Sequence, residues 1–407
     1  MQSFSYHTAE NSSAESEQST AFRLRRTGKP HPQVVSDPAQ LRQIHLRLRY
    51  HIWKLALQQM ANPFKAYAAI QKGLGLQLAS GSAAGKIARI GNSFQASLLS
   101  PSWPSAAFDA YVRAQLQAGR SCSSATAPAV ASLSVTQHCS PFCQPRPGGQ
   151  AQPDPSLDSL KKQIQKLQKE GVRQIELCGG EPMLRYADLL ELLQTAAAGT
   201  DFWLSTSGWE LSPERALALK AAGLRGVRLN LDHNDPDKHN ALRGYKHSYG
   251  WVMRAAESAR TAGLGLCLNL CVTPDFVSDE NLMAYARLAA QLGASFIQIL
   301  APRATAAGYD HELELSPEQI SELNTFAHRL NHTAAYASWP LVAYQGWVPQ
   351  KAVSAASGNR VLLMDAQGNL RACRHCQSYD RPYVKDRSPL RKTAWAPAGT
   401  TQSQPHP

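Results

Sequence analysis

The residues best suited to chemistry are cysteines in close pairs and one glycine-rich acidic turn. Cys139 and Cys143 form a C-x3-C in S-V-T-Q-H-C-S-P-F-C, Cys267 and Cys271 fall in L-C-L-N-L-C-V-T, and Cys373 and Cys376 form a C-x2-C in R-A-C-R-H-C. Eight cysteines in 407 residues are too sparse for a disulfide scaffold, and such spacing favours metal or redox chemistry. Some forty residues after the first pair, I-E-L-C-G-G-E-P ends an apolar run in Gly179, Gly180, Glu181 and Pro182. Two glycines let backbone approach a ligand with no side chain between, and Glu181 adds a carboxylate. Taken alone, a C-x3-C reads first as two unrelated thiols, and a G-G-E-P equally as a structural bend.

The elements that must position these groups alternate along the chain. Apolar strand candidates lie at Leu133–Thr136, Val172–Cys178, Phe202–Thr206, Gly226–Leu231, Gly265–Val272 and Phe296–Leu300. Helical stretches lie between them at Leu157–Glu170, Tyr186–Ala198, Ser212–Ala222, Tyr249–Ala262 and Asp279–Leu292. Ser212-Pro213-Glu214 and Ser316-Pro317-Glu318 read as a capping serine followed by proline in the first helical turn. Six strands, each feeding a helix before the next, predict an α/β fold with a parallel sheet and right-handed crossovers. Such sheets carry their functional residues at the carboxyl ends of the strands. Those ends hold Cys139 and Cys143, the G-G-E-P turn, Ser207 in T-S-G, Asn230 and Asp232 in R-L-N-L-D, and Asn269. Cys267, Asn269 and Cys271 alternate with leucines and share one strand face, as lumen residues or as small buried hydrophobes.

Together these residues resemble the radical S-adenosylmethionine (radical SAM) superfamily. Its pattern is C-x3-C-x2-C after the first strand of a partial barrel and a G-G-E-P-like turn after the second. Cys139 and Cys143 match the first spacing, but Arg146 stands where the third cysteine falls and Pro145 replaces the aromatic residue before it. The resemblance implies a partial (β/α)6 TIM-like barrel of parallel strands, with a helical N-terminal extension and a small C-terminal extension. It implies a [4Fe-4S] cluster and S-adenosyl-L-methionine (SAM) as cofactors, with Cys139 and Cys143 as cluster ligands. Gly179, Gly180, Glu181, Pro182, Ser207, Asn230 and Asn269 are then expected around SAM. Thiolates normally hold one iron each. Two leave a second iron without a ligand, for which His138 and Cys178 are the substitutes by chemistry. Arg146 is not one, because a guanidinium stays protonated. Arg243 meets either a ligand carboxylate or a surface partner, and Arg303 an anionic substrate group. Cys373 and Cys376 are expected at an auxiliary metal site, as half a zinc site with His375, or as a redox pair. The helical extension's P-S-W-P-S-A-A-F-D-A-Y, Pro101 to Tyr111, is also similar to a pattern ahead of the cluster in some members. The expected function is a radical SAM-like enzyme, impaired by Arg146. Its substrate is an unknown peptide or small molecule, and its electrons come from a reductase or flavodoxin-type donor. The alternative is an inactive barrel serving as a binding or scaffold protein.

Composition bounds these readings. No run of 18 apolar residues reads as a membrane span, and the first residues lack a signal peptide's apolar stretch, so a cytoplasmic location is expected. The net charge of +12 looks like a nucleic-acid signal until it is apportioned. Residues 131–376 carry 23 basic and 23 acidic side chains, whereas residues 1–130 carry 14 and 5. The excess therefore lies outside the predicted barrel, on a basic extension that is a solvated face or a partner surface, and nucleic acid is not expected as a partner. The predicted organisation is a disordered N-terminus at 1–38, a basic helical extension at 39–127, the barrel at 128–335, a C-terminal extension with the C-x2-C at 336–380, and a disordered tail at 381–407. Within the C-terminal extension V-L-L-M-D-A-Q-G-N-L-R-A reads as a hairpin.

Overall fold

The computed structural model describes residues 34–60, 62–73, 85–118, 129–140, 153–300, 314–344 and 361–372. Its centre is a sheet in which six strands follow the predicted alternation. They are β4 (Val130–Thr136), β5 (Gln174–Gly179), β6 (Asp201–Thr206), β7 (Leu224–Asn230), β8 (Gly265–Cys271) and β9 (Phe296–Leu300). Between them run α4 (Leu157–Lys169), α5 (Tyr186–Thr195), α6 (Pro213–Ala222), α7 (Pro236–Arg243), α8 (Ser248–Thr261) and α9 (Asp279–Leu292). All six strands are parallel neighbours in chain order, forming the parallel α/β sheet that the alternation predicts, here curled as a half-barrel.

The sheet is wider than six strands. Past α10 (Pro317–His332), β10 (Leu341–Tyr344) adds parallel to β9. At the other edge β11 (Val361–Met364) lies parallel to β4 and turns back antiparallel as β12 (Leu370–Ala372). The predicted hairpin thus forms, closed by Asp365, whose Oδ1 accepts from Gln367 N and Asn369 N. One strand boundary moves for a local reason: Val172 does not start β5 but closes the end of α4, donating its N–H to Leu167 O at 3.1 Å. The segment D-P-D-K-H-N-A-L-R-G contains α7. Asp235 accepts from Lys238 N at its start, Pro236 occupies the first turn, and Gly244 takes a left-handed φ of 69° at its end. The serine caps behave as predicted, with Ser316 and Gln319 making a reciprocal capping box at α10.

Alternate residues of each strand divide the labour. Leu133, Val135, Ile175, Leu177, Leu204, Val227, Leu229, Leu268, Leu270 and Ile297 pack outward against the helices in the main core. The opposite, inner face is closed at the amino ends of the strands by the N-terminal extension. That extension comprises α1 (Pro38–Gln59), α2 (Pro63–Gly73), α3 (Ala106–Ala118) and an unpredicted three-stranded antiparallel sheet of β1 (Val34–Val35), β2 (Ile87–Ile90) and β3 (Ser93–Gln95). Val34, Ala88, Ile90 and Leu98 pack on Trp203, Cys267, Phe296 and Leu341 as an apolar plug. Gly226 must lack a side chain here, because a Cβ would lie 2.6 Å from the Trp203 ring.

Buried polar pairs sew the plug in place. Ser102 donates from N and Oγ to Asp201 Oδ2 at 2.9 and 2.7 Å, and Gln174 Nε2 donates to Leu98 O at 2.8 Å. Lys86, 4% exposed, donates its ammonium to the carbonyls of Leu330, Tyr336, Trp339 and Pro340 at 2.8–3.2 Å. No described helix is long and apolar enough to cross a membrane.

Candidate functional site at the carboxyl ends of the strands

The first loop and the glycine turn meet at one rim of the sheet. Gly180 donates its N–H to Thr136 O at 2.9 Å, and Glu181 donates its own to His138 O at 2.8 Å. Contact is close enough to exclude side chains. A Cβ on Gly179, whose φ is +142°, would lie 2.2 Å from Thr136 O, and one on Gly180 would lie 2.1 Å from His138 O. Cys139 therefore stands exposed directly beside the turn. Cys143 and Arg146 lie outside the described residues, as do Arg303, Cys373, His375 and Cys376.

Glu181 is only 2% exposed, and protein donors engage both of its oxygens. Oε1 accepts from Thr206 Oγ1 at 2.6 Å and Met183 N at 3.1 Å, while Oε2 accepts from Ser207 N at 3.0 Å and Ser207 Oγ at 2.5 Å. The carboxylate thus fastens the end of β5 to the end of β6, and Pro182 opens a 3₁₀ turn that runs to Arg185. Ser207 is half-buried at the same rim. On the next two strands, Asn230 and Asn269 are register partners, and Asn269 Nδ2 donates to Asn230 Oδ1 at 3.2 Å. The predicted rim residues on β5 to β8 are therefore arrayed along adjacent strand ends.

Arg243 pairs with Asp232, its Nε lying 2.5 Å from Oδ2. Burial raises the Asp232 carboxyl above its ordinary value, and Arg243 opposes that shift. His239, inside α7, accepts from Asp232 N at 3.1 Å, and burial lowers its pKa to about 3, with the Arg243 charge adding to the effect. The imidazole is consequently neutral across the physiological range. Burial also pushes the Cys267 thiol up to about 12 and raises Cys178 and Cys271, so these thiols stay protonated.

Sequence reasoning overlooked a polar layer on the inner face between plug and rim. Ser132 Oγ donates to Glu176 Oε2 at 2.9 Å, and Arg228 Nη1 donates to Glu176 Oε2 and Gln298 Oε1, each at 3.2 Å. Its signal was available: Glu176, Arg228 and Gln298 each interrupt an apolar strand at the inward period. Also overlooked was Asp154, whose carboxylate accepts from Thr136 Oγ1 and Gln137 N at the base of the first loop. Burial alone would raise its pKa, but the hydrogen bonds from Thr136, Gln137 and His138 outweigh burial and lower it. Among the described residues no three His, Cys, Asp or Glu side chains gather as a ready metal site. Over the whole chain, the first loop supplies two thiolates and an arginine at the third position, so the donor set fits a three-thiolate cluster only in part.

Residues 136–289 match the family model described as the radical SAM superfamily. The chain is 30% identical over 202 residues to an AdoMet-dependent heme synthase of Nitratidesulfovibrio vulgaris, covering 47% of this chain and 53% of that protein. It is 37% identical over 130 residues to a PqqA peptide cyclase of Ruegeria pomeroyi, covering 32% and 34%. A GTP 3',8-cyclase of Xanthomonas axonopodis pv. citri is 25% identical over 262 residues, covering 60% and 74%. Against the first two of these relatives the chain spans about half of their length or less. Among solved structures, Streptococcus suis SuiB superposes with a TM-score of 0.48 at 12% identity, covering 64% of this chain and 65% of that one.

Proposed function

We propose that this chain, whose residues 136–289 match the radical SAM superfamily model, is a radical SAM-type enzyme working at the rim formed by the first loop and the diglycine turn. Members of the superfamily use a [4Fe-4S] cluster and SAM. In this reading Cys139 and Cys143 hold the cluster, with Arg146 leaving one ligand position to be filled from elsewhere. Gly179, Gly180, Ser207, Asn230 and Asn269 line the SAM side, while Glu181 and Pro182 hold the turn in shape. When bound beside this rim, the cluster and SAM would supply reductive radical chemistry to the inner face. The half-barrel's inner face would receive the substrate, a peptide or small molecule, and a reductase or flavodoxin-type donor would supply electrons. The protein's own part is positional: Glu181 locks two strand ends, the glycines admit backbone contact, and the plug shuts the far end to water.

The observation that carries this reading is the pair of backbone hydrogen bonds from Gly180 and Glu181 to Thr136 and His138, which set Cys139 beside the turn. Anaerobic reconstitution with iron and sulfide, read by iron content, electron paramagnetic resonance and 5'-deoxyadenosine release on reduction, tests it. Uptake lost in Cys139→Ala and Cys143→Ala supports the proposal; a wild-type chain that takes up no iron and cleaves no SAM removes it. The α1 surface favours the alternative of a scaffold or binding protein. Leu46 and Tyr50, 67% and 71% exposed, lie among exposed Arg42, Arg47 and Arg49 on a helix with no acidic residue.

A further inference from the structure

Two side chains that the cofactor reading does not use close the neck of the thiol-bearing loop. Strand β4 ends at Thr136, and the chain returns at Asp154 to Ser156, just ahead of α4. Asp154 bridges the two sides. Its Oδ2 accepts from Thr136 Oγ1 at 2.7 Å, and its Oδ1 accepts from Gln137 N at 3.0 Å and lies 3.2 Å from His138 Nδ1. Thr136 Oγ1 in turn accepts from His138 N at 3.0 Å. Arg185 makes a second bridge, donating Nη1 to Val135 O at 2.8 Å and to Pro155 O at 2.7 Å, while its Nε donates to Asp188 Oδ2 at 2.7 Å. Both bridges join the last residues before the loop to the first residues after it. Arg185 ends the 3₁₀ turn that Glu181 caps, so the neck and the glycine turn share one framework.

A ligand-bearing loop takes its shape from the metal it holds or from the chain around it. Three thiolates on one cluster would fix such a loop at three points, and this sequence offers two. The ordering cost is then carried by contacts that exist without metal. We propose that Asp154 and Arg185 are positioning residues that hold Thr136 to Cys139 against Gly179 to Glu181 in the metal-free protein, presetting the site that a three-point metal anchor would otherwise shape. The link to cofactor binding rests on the function proposed above, whereas the positioning itself does not.

The experiment separates the two. Amide hydrogen exchange of the metal-free full chain is followed over residues 135–140 and 179–183, with β7 and β8 as the internal control for folding. Asp154→Ala is expected to accelerate exchange at 136–140 by about tenfold or more while β7 and β8 stay unchanged. Arg185→Gln is expected to act in the same direction, and Asp154→Asn, which keeps one carbonyl acceptor, to fall between. After anaerobic reconstitution the ranking should reappear as iron bound per chain and as broadening of the paramagnetic signal, with Asp154→Asn partly restored relative to Asp154→Ala. Exchange within about twofold of wild type in both Asp154 variants overturns the proposal, as does iron uptake with an unchanged signal in Asp154→Ala. Should the wild-type chain itself take up no iron, the functional reading falls while the exchange result on metal-free protein still decides the positioning.

Discussion

At the level of single residues, Glu181 has a defined mechanical task. Four donors converge on one buried carboxylate, an arrangement that leaves no acceptor valence to spare. Glu181→Gln places an amide donor against an existing donor, either the Met183 and Thr206 pair or Ser207. It should cost about 2 kcal/mol of unfolding free energy, measured by urea denaturation. A change below about 0.5 kcal/mol would mean that the carboxylate is not the fastener between β5 and β6. Arg146 invites the opposite experiment, because a thiolate there completes the spacing that the first two cysteines begin. Arg146→Cys is expected to raise iron bound per chain and the rate of reductive SAM cleavage above wild type. Equal or lower iron content in that variant would argue against the two-thiolate reading of the first loop.

At the level of elements, α7 shows how a short helix is held onto a strand end. It has two turns, a capped start and a left-handed glycine stop, and its buried His239 accepts a hydrogen bond from the backbone of Asp232. Because the imidazole is held neutral with a pKa of about 3, against 6.5 ordinarily, the folded chain binds this proton less well than the unfolded chain. Stability from this group is full above about pH 6.5 and declines as pH falls toward the folded value, by up to about 1.4 kcal/mol per pH unit. His239→Gln has no such proton to exclude. Its stability deficit relative to wild type should therefore shrink between pH 7 and pH 5 in urea titrations, and a deficit independent of pH would contradict the buried neutral histidine.

At the scale of the whole molecule, the N-terminal extension makes the half-barrel one-ended. Its apolar plug fills the inner face at the amino ends, and the proposed ligand site lies at the opposite, carboxyl rim. Lys86 ties that plug to the C-terminal part of the chain through four backbone carbonyls; burial lowers its pKa to about 8, which leaves it charged at neutral pH. Lys86→Met would strand those oxygens and should cost about 2–4 kcal/mol, with faster amide exchange confined to residues 330–341. Exchange unchanged there would show that the ammonium is not the tie. Much of this architecture was legible without coordinates. Strand-helix alternation, serine caps and the order of C-x3-C before G-G-E-P are local patterns, written within a few residues by side-chain period and backbone preference. They determined the parallel sheet and the placement of Cys139 and the glycine turn after consecutive strands. The closures were not legible: Asp154 across the loop neck, Arg185 beneath it, and Lys86 bonded to a carbonyl 244 positions away. Each is a polar side chain whose partner lies far along the chain, and a hydrogen bond a few ångströms long has no signature in composition or period, so only the packed tertiary structure decides where it closes.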